Sequence, residues 1–255
     1  MMMKHLLLIF GLHFTTVAFS QNGAHVNGGL FKKSVEYNVV VLGGYNMSNK
    51  GGIEKLFFGD FNAPVEFIYE PSFKGSSGFR MMRDSSNTFY ILEVKLITNY
   101  KEESKIACEE AINIRNQQML DLPAKILDSL PRSVFNQIWE YNKKIPVKYN
   151  ELLLKRLKVE IHSFPVSDPF AETMYKKMVS FIHNFKAKGI PPMIFDGFSV
   201  TFRTVIEDEL WSLYIHEPQG YARKMTDFCR QIIEDAQNDQ LDEKKYMDFL
   251  DAFEM

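Results

Sequence analysis

The chain has 255 residues, 45% of them hydrophobic and 14% aromatic, with a formal net charge of −2. That is enough apolar material for one large or two small globular domains. A charge so near zero excludes the basic stripe of a nucleic-acid binder, and no run of like charges forms a membrane-surface arm.

The first twenty residues set the expected destination. Lys4 supplies a short basic start, Leu6 to Phe10 begin an apolar run that reaches Phe19, and Ala18-Phe19-Ser20 puts small residues around a peptidase site. This is the pattern of a secretory signal peptide cleaved after Ser20. His13, Thr15 and Thr16 interrupt the run, which is too short for a transmembrane anchor, and no later segment is apolar enough to span a bilayer. The expectation is therefore an exported, periplasmic or extracellular protein. It has a flexible stretch over residues 21–34, then a single α+β domain over 35–255 with candidate halves 35–130 and 157–240.

Val35 to Leu42 is rich in β-branched residues and reads as a strand. Gly43-Gly44 and Gly51-Gly52 follow, at a spacing that fits neither phosphate-loop signature, so a plain turn is expected there. Val65, Phe67 and Tyr69 alternate in a strand that Pro71 stops or places at an edge. Lys74 to Gly78 form a flexible turn. Phe79 to Arg83 and Thr88 to Ile97 flank the polar connector Asp84-Ser85-Ser86-Asn87 and predict a hairpin. In its second arm Tyr90, Leu92, Val94 and Leu96 face one way and Glu93 and Lys95 the other, the alternation of an antiparallel sheet with one covered face.

Tyr100 to Gln118 predict a helix whose small face, Ala107, Cys108 and Ala111, suits close packing on a sheet. Ser133 to Tyr141 form a short helix. Lys143 to Lys155 is either a helix restarting after Pro146 or a long connector. Leu157, Val159 and Ile161 alternate with Lys158, Glu160 and His162 in a half-buried strand, with His162 outward. Asp168-Pro169 caps a helix that keeps Met174, Met178, Phe181 and Ile182 on one face, with Gly189 beyond its end. Asp196-Gly197 is a turn, Ser199 to Ile206 and Leu210 to His216 form a second hairpin, and Tyr221 to Ala236 is strongly amphipathic. Tyr246, Phe249, Leu250 and Phe253 share the spacing of a docked C-terminal helix.

The offset that carries Cys108 onto Cys229 also carries Tyr90 onto Trp211, Leu92 onto Leu213, Val94 onto Ile215 and Tyr100 onto Tyr221, without a gap. Two related hairpin–helix units are one explanation; the ordinary constraints of amphipathic structure are the other. With two cysteines in an exported chain, a Cys108–Cys229 disulfide is one reading. The other is two buried thiols on apolar helix faces.

Recognisable chemistry is sparse. His5 and His13 belong to the signal segment, and His25, His162, His183 and His216 have no metal spacing. Ile215-His216-Glu217 is followed by Pro218, which forbids the helix of a zinc-protease motif. No nucleophile elbow occurs. Asp196 reads as a turn residue, and Glu93 and Lys95 as a solvated strand face. No cofactor signature is present. Alternation does place Arg203, Tyr214 and His216 on one polar face of the second hairpin, expected to be exposed, and this is the candidate binding group.

The stretches PVEFIYEPSFKGSSGFRMMRDSSNTFYILEVK, SFPVSDPFAETMYKKMVSFIHNFKAKG and FDGFSVTFRTVIEDELWSLYIHEP resemble a family of secreted proteins from gut Bacteroidetes, over about Phe58 to Ala236. The resemblance implies an exported bacterial protein and carries over no catalytic residues. The expected architecture is α+β, with antiparallel hairpins covered on one face by amphipathic helices. The expected function is a non-enzymatic binding or interaction module working through an open sheet face or edge strand, with a protein or small-molecule partner. A hydrolase whose site forms only in the fold is the alternative, and a structural component of the cell envelope a third. The ligand and the oligomeric state are not legible.

Overall fold

Alternation along Tyr90–Ile97 builds one strand of a six-stranded antiparallel sheet, seen here in a computed structural model. It describes residues 25–26, 29–30, 52–59, 63–84, 86–115, 122–123, 126, 129–186, 197–206 and 209–254. The strands are β1 (Val65–Pro71), β2 (Ser77–Arg83), β3 (Tyr90–Ile97), β4 (Val159–Val166), β5 (Phe198–Ile206) and β6 (Glu209–His216). Their order is β4-β3-β2-β1-β5-β6, so β1 is central and β4 and β6 are the edges. The helices are α1 (Gly52–Phe58), α2 (Tyr100–Arg115), α3 (Arg132–Arg156), α4 (Asp168–Asn184), α5 (Gly220–Gln237) and α6 (Glu243–Ala252). Residues 98–158, with α2 and α3, form one compact unit; the sheet and the remaining helices form the other. This division differs from the halves 35–130 and 157–240. The signal segment and the Val35–Leu42 strand lie outside the described residues, as does Gly189.

One face of the sheet carries the core. Val94, Phe79, Phe67, Phe202 and Leu213 stand opposite one another across five strands, all fully buried. Helices α4, α5 and α6 supply the other side of the same core through Met174, Met178, Phe181, Met225, Ile232 and Leu250. The Phe181 ring lies 4.8 Å from that of Phe202. In α5 the buried residues recur on one side, the periodicity that docks a helix on a sheet. The predicted C-terminal helix forms as α6, and Tyr246 donates to Asp235 Oδ2 at 2.7 Å. Burial, reinforced by that carboxylate, pushes the Tyr246 phenol well above its usual range.

Several local readings shift. The cap of α4 is Ser167, whose hydroxyl accepts from the Phe170 N–H, so Asp168 opens the first turn instead of capping it. Arg132–Arg156 is one helix that runs through Pro146. A proline there removes one backbone donor, and the helix formers on either side carry it through. The faces of β4 are reversed: His162 stands opposite Val94 and Phe164 opposite Leu92, while Ile161 is 54% exposed. The strand continues through Pro165 to Val166, and Phe164 with Val166 outweighs Ile161 in choosing the covered face. The first hairpin closes as expected. Asp84 accepts from the Ser86, Thr88 and Phe89 backbone N–H groups, and Asn87 takes a left-handed φ of 58°.

In the helical unit α2 pairs with α3. Arg156 reaches Glu103 at 3.6 Å and Glu110 at 2.5 Å. Burial pushes the Tyr149 phenol upward, beside Tyr100 and Cys108. Among the described residues no helix is long and apolar enough to cross a membrane.

The opposite sheet face is not open. Helix α1, unforeseen in the sequence, lies on it and buries Phe57 and Phe58. Gly78 permits this approach: a Cβ there would stand 2.6 Å from the Phe67 carbonyl oxygen, 3.2 Å from Phe57 and 3.3 Å from Phe58. Gly78→Ala is expected to destabilise the fold by about 1–3 kcal/mol through overpacking. Urea denaturation checks this; an unchanged midpoint would mean that α1 does not need the space.

Candidate functional site

The face under α1 is built from cross-strand register. Ser163, Glu93, Arg80, Glu66, Arg203 and Ser212 stand opposite one another from β4 to β6. The four central members alternate in sign, the arrangement that stabilises neighbouring strands. Arg80 Nε donates to Glu93 Oε1 at 2.8 Å, and Arg203 Nε donates to Glu66 Oε2 at 2.5 Å. Lys95 joins the row, 3.2 Å from Glu93 Oε1.

Helix α1 completes it. Glu54 Oε2 accepts from Arg203 Nη1 at 2.8 Å, and Glu54 Oε1 accepts from the Thr201 hydroxyl at 3.5 Å. The Phe57 carbonyl accepts from Lys95 Nζ at 2.5 Å. Arg80 and Lys95 lie 5.5 and 5.2 Å from the centre of the Phe58 ring, within reach of a cation–π contact. Three cations (Arg80, Lys95, Arg203) therefore meet two sheet carboxylates (Glu66, Glu93), and Glu54 is the third.

A second polar group adjoins this row on β5 and β6. Ser199 stands opposite His216, and Thr201 opposite Tyr214. Tyr214 Oη donates to Ser199 Oγ at 2.7 Å, and Ser199 Oγ lies 3.1 Å from His216 Nδ1. With the Tyr214 proton directed into Ser199, the serine's own proton points to His216 when the imidazole carries its hydrogen on Nε2. All three residues are half-buried.

A serine hydrogen-bonded to a histidine is the core of a nucleophilic pair. Acyl transfer also needs donors aimed at the developing oxyanion. Ser199 sits within β5, a strand paired on both sides, opposite Glu70 on β1 and His216 on β6. The Phe198 N–H donates to the Glu217 carboxylate, the β5 amides that follow belong to sheet ladders, and a strand face presents no turn of spare N–H groups. The arrangement therefore suits recognition better than turnover.

Arg203, Tyr214 and His216 share one face, as alternation predicts. Their expected common exposure is corrected for Arg203, which is only 2% exposed. A guanidinium on the polar face of a strand is buried here because α1 covers it and two carboxylates neutralise it. Glu93 and Lys95, read as a solvated face, belong to the same part-buried row. Cys108 and Cys229 are both buried free thiols and fall in different units. Among the described residues no three His, Cys, Asp or Glu side chains gather as a metal site requires. Sequence reasoning missed Glu54, Glu66, Thr201 and Ser199. Ile53, Leu56, Phe57 and Phe58 just beyond the glycines were the available signal for α1.

Arg203→Ala is expected to cost about 3–5 kcal/mol, because it strands two carboxylates under α1. The Tyr214→Phe/His216→Ala double variant should cost no more than about 1–2 kcal/mol at its half-buried positions. Equal losses by chemical denaturation would contradict this division between a buried structural row and a half-buried polar group. No protein-family model matches the chain, and neither a curated protein nor a solved structure matches it.

Proposed function

We propose that the chain is an exported binding module whose working surface is the outer face of the β5–β6 hairpin. The observation that carries this reading is the Tyr214–Ser199–His216 chain of hydrogen bonds, half-buried beside the neutralised Arg203 row. Export rests on the basic start, apolar run and small-residue site of residues 1–20.

The chemistry favours a neutral, hydroxyl-bearing ligand. Phenol, hydroxyl and imidazole each donate and accept, which matches a ligand hydroxyl that does both. Arg203, on the same sheet face, already faces Glu66 and Glu54, so it leaves little net charge to draw an anion. A hydrolase using Ser199 and His216 is the second reading, favoured by their contact and disfavoured by the engaged backbone around Ser199.

A glycan array probed with the mature protein separates the two. Tyr214→Phe and Ser199→Ala should each weaken captured glycans by about tenfold, one lost hydrogen bond with its unpaired partner, at nearly unchanged stability. A fluorophosphonate probe that labels Ser199, and stops doing so in His216→Ala, would overturn the binding reading for the hydrolase one. Glycan capture unaffected by both substitutions would remove this face as the site.

A further inference from the structure

Among the described residues β4 is an edge strand, and its outer side carries a second surface. Lys158 accepts from the Thr98 N–H, so its carbonyl points toward β3, whereas the Ile97 N–H points to Ser76 on the β2 side. Backbone direction alternates along an antiparallel strand. The even-numbered residues of β4 therefore hydrogen-bond to β3, and Val159, Ile161, Ser163 and Pro165 turn their backbone groups outward. Pro165 fits this parity, since its missing N–H falls on the open side. Ile161, in the middle of that edge, is 54% exposed.

We propose that β4 pairs antiparallel with β4 of a second copy of this chain, across a two-fold axis at Ile161. An isologous contact of this kind requires the strand to be complementary to itself. Outward-facing residues must meet outward-facing residues, so the axis falls on a residue, and three such positions lie at or beside the exposed Ile161. An axis at Glu160 sets Glu160 against its own copy and Lys158 against His162. An axis at His162 sets histidine against histidine and Ile161 against Ser163. An axis at Ile161 sets Ile161 against Ile161 and Glu160 against His162 twice, matching apolar with apolar and acid with base. Glu160 and His162 already lie 2.8 Å apart within one copy, so pairing gathers two of each on one face. In this register Val159 meets Ser163, and every outward N–H between them finds a carbonyl. Proline and charge commonly guard an edge strand against pairing; here the charges are self-complementary and Pro165 lies outside the paired segment.

The register makes a specific prediction. Ile161→Cys meets its own copy at the axis, at a Cα separation of about 5.5 Å that a disulfide accepts. Mild oxidation should convert this variant to a covalent dimer on a non-reducing gel. Val159→Cys and Ser163→Cys should each stay monomeric alone and link when mixed. Sedimentation should show wild-type dimer growing with concentration, weakened by about tenfold or more in Ser163→Pro, which removes an outward donor from each copy. The Ser163 N–H points away from β3, so thermal stability at low concentration should hold. A wild-type monomer at every concentration, or equal linkage of the three single cysteine variants, would overturn the proposal.

Discussion

A guanidinium buried to 2% exposure must be neutralised, and Arg203 makes that demand on the strand beside the central β1. Leaving it unpaired costs several kcal/mol. Glu66 on the neighbouring strand meets it first, and Glu54 meets it from α1. The second contact ties a helix early in the chain to a strand late in it. Without α1, Arg203 keeps only one of the two carboxylates that neutralise it, Glu66. Charge balance and the burial of Phe57 and Phe58 thus recruit the same element, and Gly78 leaves room for it. What resembles a polar strand face in sequence is a second interior, sealed by charge instead of by a hydrophobic stripe.

How much of this was legible depended on the range of the cause. Period-two alternation in Tyr90–Leu96 and Trp211–Ile215, and the helical repeat of α4 and α5, are local, and the sheet and its covering helices follow from them. The shared face of Arg203, Tyr214 and His216 is equally local. Burial of Arg203 is not, because it depends on Glu66 and Glu54, more than a hundred residues away in sequence. Ser199 was hidden for a similar reason: its significance comes only from standing opposite His216. In β4 two local signals conflicted. Ile161 argued for one face and Phe164 with Val166 for the other, and the longer strand let the second pair prevail.

The hairpins suspected of kinship do occupy comparable places. β2–β3 and β5–β6 flank the central β1 on opposite sides, and Leu92, Val94, Leu213 and Ile215 all enter the core. The likeness ends at the following helices. α5 closes the core of the sheet, whereas α2 belongs to the separate helical unit with α3. That difference leaves each cysteine a small buried hydrophobe in its own surroundings.

The alternating row also bears on how the strands find one another. Slippage of β1 by two residues along β5 preserves every inward-facing residue, so the core alone discriminates weakly against it. Such a slip sets Arg203 opposite Ile68 in one direction and opposite Pro64 in the other. Either outcome leaves a guanidinium facing a side chain that cannot accept a hydrogen bond, and the same displacement removes Glu66 from it. The row thus works as a tooth-and-notch key: it selects one alignment among several that hydrophobicity would tolerate.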